Sequence, residues 1–149
     1  MDISNLERWH FDITEESANY LIGLVLEGKK KATSSSVWSF EMEGSPIPKA
    51  GDMSVITYWD GTPACIIETV KVRLIPYRDI TFDIAVLEGE DENLESWQIN
   101  HKRFFTEEGK MLGYTFTEDM PVVFEEFEVI EVINASINKN LTESMYGLL

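Results

Sequence analysis

The sequence predicts an α+β domain: an antiparallel, partly closed β-sheet with flanking helices. Three observations carry this. Residues 53–59 and 63–75 are rich in β-formers and flank Asp60-Gly61-Thr62, a hairpin signal. Two segments have helical periodicity. Strands and helices are mixed without the strict βαβ alternation of a parallel sheet. Partial closure would also hide strand edges that a chain of 149 residues has little material to cover.

The elements follow in order. Thr14 is a suitable N-cap for a first helix, Glu15 and Glu16 suit the positive end of its dipole, and Ala18, Leu21, Ile22 and Val25 share one face. Gly28 supplies its stop. Residues 37–42 can form a short helical turn ending at Gly44, before the proline-containing loop 45–48. After the hairpin, Asp79 or Thr81 can cap a helix running through Ala85 and Leu87 to Gly89. Asn93 can cap a longer one with Leu94, Trp97, His101, Phe104 and Phe105 along a core-facing stripe. Residues 121–133 close the domain as a strand in which Phe127 and Val129 alternate with Glu126 and Glu128. No linker or internal repeat divides the chain, so residues 1–133 read as one domain and 134–149 as a C-terminal tail.

The charge is lopsided: 27 Asp and Glu against 12 Lys and Arg, a net of −15. Such a surface repels phosphate backbones and anionic membranes at long range, which argues against duplex DNA and membrane partners. Cys65 is the single cysteine, so there is no intrachain disulfide or paired-cysteine metal clip, and a reducing compartment fits. The first residues lack the basic and apolar regions of a secretory signal, and no apolar run approaches the ~20 residues that span a bilayer. A cytoplasmic location is expected. On that expectation, the glycosylation-type triplets at 134–136 and 140–142 are chance matches.

Against the acidic background, Lys29, Lys30 and Lys31 are consecutive and lead into Thr33, Ser34, Ser35 and Ser36. A basic focus on an acidic body attracts one anion or electron-rich group at one place. A helix C-terminus alone favours cations by only ~0.3–1 kcal/mol each and does not account for the hydroxyls. Like charges on both sides and partial burial would lower the pKa of Lys30, allowing it to take a proton from Thr33 or a serine and create a nucleophile. Residues three apart in a regular strand face opposite ways, so Lys30 and Thr33 meet only if the chain turns or bulges between them. Five carboxylates occur within the eight residues 88–95, without the ligand spacing of a calcium loop, so no metal site and no cofactor is expected. Glu88, on the apolar side of that run, could pair with Lys30 and orient it. His101 reads as a core-edge residue. Trp38, just beyond the hydroxyls, could present a stacking face to a base.

The segment Gly28-Lys29-Lys30-Lys31-Ala32-Thr33 resembles the GxKxxT loop of the ASCH domain superfamily. The likeness continues through Gly51-Asp52, Leu87-Glu88-Gly89-Glu90, Leu94 with Trp97, His101, Phe104-Phe105 and residues 119–123, covering roughly 9–133. The resemblance implies a PUA-like barrel with a cleft lined by that loop and a link to RNA or its nucleosides. Some members look like amidohydrolases of N4-acetylcytidine using a lysine, a threonine and a glutamate, roles that would fall on Lys30, Thr33 and Glu88. Others are ribonucleases or RNA-binding modules without catalysis. Gly28, Lys29, Lys31, Ser34, Ser35 and Trp38 would then line the substrate cleft, with loop amides or Ser34 and Ser35 stabilising an oxyanion. Two positions depart from the pattern. Lys31 stands where longer relatives often have threonine, and Ser35 stands where the small amidohydrolases carry an arginine, which removes a bidentate donor. The expected partner is a small nucleoside or a short single-stranded RNA.

Overall fold

The computed structural model describes residues 2–133; the expected tail and both glycosylation-type triplets lie outside the described residues. Strand β1 (Glu7–Trp9) is followed by α1 (Glu15–Leu26), β2 (Ala32–Ser36), α2 (Val37–Glu43), β3 (Met53–Thr57), β4 (Pro63–Pro76), α3 (Phe82–Ala85), α4 (Leu94–Leu112) and β5 (Pro121–Val132). The strands form one sheet in the order β1-β3-β4-β5-β2, a curled half-barrel whose open edges are β1 and β2.

Local chemistry sets the ends of the elements. Thr14 Oγ1 accepts the Ser17 amide at the start of α1, which buries Ala18, Ile22, Leu24 and Val25. At its end, Gly28 takes a left-handed φ of 79°, and the amides of Lys29 and Lys30 both donate to the Leu24 carbonyl, at 2.9 and 3.1 Å. This cap turns the chain sharply, so Lys30 precedes β2 and faces inward. In the β3–β4 hairpin, Asp60 Oδ1 accepts the Thr62 amide at 2.9 Å. The long β4–β5 ladder runs from Cys65–Val132 to Pro76–Pro121, with two register shifts that curl it.

Two expectations need correcting. The sheet is not wholly antiparallel: β1 pairs parallel with β3. The connection between them contains α1, β2 and α2, long enough for the crossover that parallel pairing requires. The helix expected to run through to Gly89 also stops at Ala85, and residues 86–88 tighten into a 3₁₀ turn ended by Gly89 at φ 69°.

Hydrophobic packing divides in two. Phe11, Ile22, Val25, Ile56, Ile67 and Phe127 form a core where α1 meets the sheet. Tyr77, Ile80, Trp97, Phe105, Met120 and Val122 form a second beneath α4, and Trp38 packs on its margin. The clusters clamp opposite ends of the same sheet, and the polar residues of β2 lie between α1 and α4.

Candidate functional site

The end of α1, the middle of β2, the 86–90 turn and one face of α4 converge on a buried cluster of charges. Lys30, only 2% exposed, directs Nζ to Glu88 Oε1 at 3.1 Å and to Glu90 Oε2 at 2.5 Å, and lies 5.1 Å from the centre of the Phe11 ring. Glu88, 1% exposed, also accepts from the Ser34 hydroxyl at 2.8 Å and from the Trp97 indole at 2.7 Å. His101 Nε2 stands 3.2 Å from Glu88 Oε2, while its Nδ1 lies 2.9 Å from the Trp97 carbonyl. A carbonyl and a carboxylate both accept only, so this pair of contacts calls for a proton on each ring nitrogen. The cluster then holds two cations and two anions, which is what a site with so little access to water requires.

Backbone geometry locks the parts together. The Lys31 amide donates to the Leu87 carbonyl at 2.9 Å. A Cβ on Gly89 would lie 2.0 Å from the Lys29 carbonyl oxygen, so only glycine lets the 86–90 turn sit against the Lys30 backbone.

The protonation states follow. Burial pulls the Lys30 ammonium down, but the Glu90 and Glu88 carboxylates outweigh it and its pKa ends raised. Burial works against ionised Glu88, yet His101, Lys30 and the Trp97 indole hold it well below the usual carboxylate range. For Glu90, burial and the neighbouring Glu88 charge prevail over the attraction of Lys30, and its pKa is raised. The two partners of the Lys30–Glu90 contact thus move in the same direction: Glu90 is the weaker acid of the carboxylate pair and the one nearest to accepting a proton. His101 is raised as well, because Glu88 overcomes its burial. This reverses the expectation that Lys30 is tuned downward by its neighbours in sequence. Lys29 reaches out to Glu27 and Lys31 is exposed, so neither charge acts on Lys30 as supposed.

The cluster opens into a cavity of about 480 Å³ whose wall includes Lys30, Thr33, Ser34, Glu88, Glu90 and His101. A second cavity, of about 410 Å³, lies on the other side of Thr33 and Phe104, which line both. Thr33 is 8% exposed, and its hydroxyl has no hydrogen-bond partner among the described residues. The expected substrate-contacting residues separate. Ser34 is in the cluster, with its hydroxyl donating to Glu88. Ser35 lines the second cavity. Gly28, Lys29, Lys31 and Trp38 are on the wall of neither: Gly28 is a helix cap, and the Trp38 ring is engaged edge-on with Tyr114 at 6.0 Å.

Sequence reasoning missed Glu90 and the functional placement of Trp97 and His101. The signal was present: Trp97 and His101 are four apart on α4, so both reach the side on which Glu88 and Glu90 enter. Glu88, Glu90 and His101 each place a ligand-type atom within 4.8 Å of the others, the grouping of a metal site. The Lys30 ammonium lies between the two carboxylates, however, so a divalent cation there would have to displace it.

A PUA-like half-barrel carrying this lysine–carboxylate cluster defines the class of the protein. An ASCH domain family model matches residues 7–131, and the chain belongs to that family. Among solved structures, it is similar to a protein from Enterococcus faecalis V583 of the family DUF984, at 34% identity and a TM-score of 0.81, covering 89% of this chain and 80% of that one. It is also similar to an ASCH domain from Lactobacillus crispatus JV V101, at 37% identity and a TM-score of 0.76, covering 84% and 80%. No curated protein matches the chain. Among the described residues, no helix is long and apolar enough to cross a membrane.

Proposed function

We propose that the chain is a hydrolase of a small amide borne by a modified nucleoside, of the N4-acetylcytidine type, with Lys30, Thr33 and Glu88 as its working residues. One observation carries the reading: a fully buried lysine, paired with carboxylates, opens into a nucleoside-sized cavity whose wall also holds an unpartnered threonine hydroxyl.

Lys30 rests as an ammonium, so it must give up a proton before it can act as a base. Glu90, at 2.5 Å and with a raised pKa, is the acceptor. A substrate that expels water from the cavity favours the neutral amine and carboxylic acid over the ion pair, because charge separation is costly in a dry site. Glu88 remains ionised and keeps the amine aimed. The neutral Lys30 takes the Thr33 proton as Oγ1 attacks the acyl carbon. The C–N bond then breaks, and Lys30 returns the proton to the leaving nitrogen. Water attacks the acyl-threonine, gives one proton through Lys30 to Thr33 Oγ1, and releases the acid.

Chromatography of N4-acetylcytidine incubated with the protein tests this. Cytidine and acetate are expected from the wild type, with turnover reduced at least ~10³-fold in Lys30→Met. No release by the wild type overturns the reading.

A further inference from the structure

The second cavity has a chemistry that the hydrolytic reading does not use. Five carboxylates line it, those of Glu7, Glu43, Asp52, Glu108 and Glu125, and among the described residues no lysine or arginine does. Asp52 is paired with Lys49, and Glu108 accepts the Tyr114 hydroxyl. Glu125 is different. It is 7% exposed, accepts only from the Thr69 hydroxyl at 2.6 Å, and has no ion-pair partner among the described residues. It stands directly across the β2–β5 ladder from Thr33, which is 8% exposed and whose hydroxyl has no partner among the described residues. Among the described residues, a largely buried carboxylate without a counter-charge and a hydroxyl without a protein partner, both on the wall of one cavity, offer polar atoms to a ligand.

The ligand's shape can be read as well. Among the described residues, these carboxylates do not converge as a metal-ligating group; the only such group is Glu88, Glu90 and His101. Charge spread around a wall suits an extended cation better than a compact ion. Trp9, Phe40 and Phe104 offer aromatic surface on the same wall, and aromatic faces attract organic cations. Glu125 and Thr33 can accept hydrogen bonds, so the cation should carry N–H groups.

We propose that this cavity binds an alkyl di- or polyamine, with one ammonium on Glu125 and the chain lying along the aromatic wall. The site adjoins the Lys30 cavity at Thr33 and Phe104, and its test reads binding rather than turnover, so its failure is distinguishable from that of the hydrolase reading.

Isothermal titration calorimetry with spermidine on the full chain, in sodium chloride at about 0.15 M, where surface charge is screened beyond ~8 Å, gives the answer. Saturable one-site binding is expected. Glu125→Gln should weaken it at least tenfold. Glu128→Gln removes the same charge from an exposed position on β5 outside the cavity and should weaken it less than twofold. Glu43→Gln, on the exposed rim and away from the core, should weaken it at least threefold, which keeps the test open if the Glu125 variant folds poorly. Multi-site or unsaturable binding, or a Glu43→Gln effect no larger than that of Glu128→Gln, would assign the amine to the acidic surface in general and overturn the proposal.

Discussion

His101 shows how much of this site is decided one residue at a time. Its two ring nitrogens face acceptors, the Trp97 carbonyl and the Glu88 carboxylate, so the folded state holds a proton that the unfolded chain releases near the ordinary value of ~6.5. A raised folded pKa stabilises fully below the unfolded value, and the benefit is lost as pH rises through the folded one. Unfolding free energy should therefore fall with rising pH above ~6.5, by up to about 1.4 kcal/mol per unit, until His101 deprotonates in the folded state. Urea titrations across this range should show a shallower fall in His101→Gln. Identical slopes in the two proteins would mean that the ring is not held as a cation. Glu88 behaves in the opposite sense. Its depressed pKa stabilises fully above the ordinary carboxylate value, and that contribution is lost progressively as pH falls from there through the folded value.

At the scale of elements, the site depends on the 86–90 turn lying against the exit from α1. Gly89 is the contact that permits it, through both its left-handed φ and the space it leaves for the Lys29 carbonyl. Gly89→Ala should cost about 3 kcal/mol or more in urea unfolding, since strain and a backbone clash act together. A loss below ~1 kcal/mol would show that the turn can shift without harm. The sequence revealed some of this architecture and hid the rest for identifiable reasons. Thr14, Asn93 and Gly44 work as the caps expected of them, because capping is local chemistry. Strand β1 was missed, because three residues carry no periodicity and its parallel partner is more than forty positions away. Lys30 and Glu88 could be singled out from the lysine run and from the position of the glutamate. Glu90, by contrast, was hidden in an acidic run whose members look alike until the turn aims one of them inward. Lys29 and Lys31 do not govern Lys30, because adjacency in sequence is not adjacency of charge: both are exposed while Lys30 is buried.

Taken whole, the molecule is a strongly acidic body in which the central lysine of its basic run is buried and neutralised. Lys29 and Lys31 are left as exposed cations beside the loop, and Lys29 is already paired with Glu27. A long single-stranded RNA would gain at most two phosphate contacts there, so log K against log salt should be no steeper than about −1.4. A steeper slope in fluorescence anisotropy with a labelled RNA would reveal a basic track elsewhere and favour an RNA-binding module. A nucleoside-sized substrate avoids the problem, because it can enter a cavity without laying a phosphate backbone over carboxylates. The half-barrel makes room for it: two cores clamp the ends of the sheet and leave the β2 face between α1 and α4 open as paired cavities that meet at Thr33.

In the proposed reaction, Thr33 becomes acylated under the control of Lys30. Rapid quenching of the protein with N4-acetylcytidine, followed by peptide mass spectrometry, tests it directly. An acetyl group is expected on the peptide carrying Thr33, absent from Thr33→Val, which keeps the side chain's volume but has no hydroxyl. Turnover by the wild type with no acetyl on that peptide, together with unimpaired turnover by Thr33→Val, would contradict it.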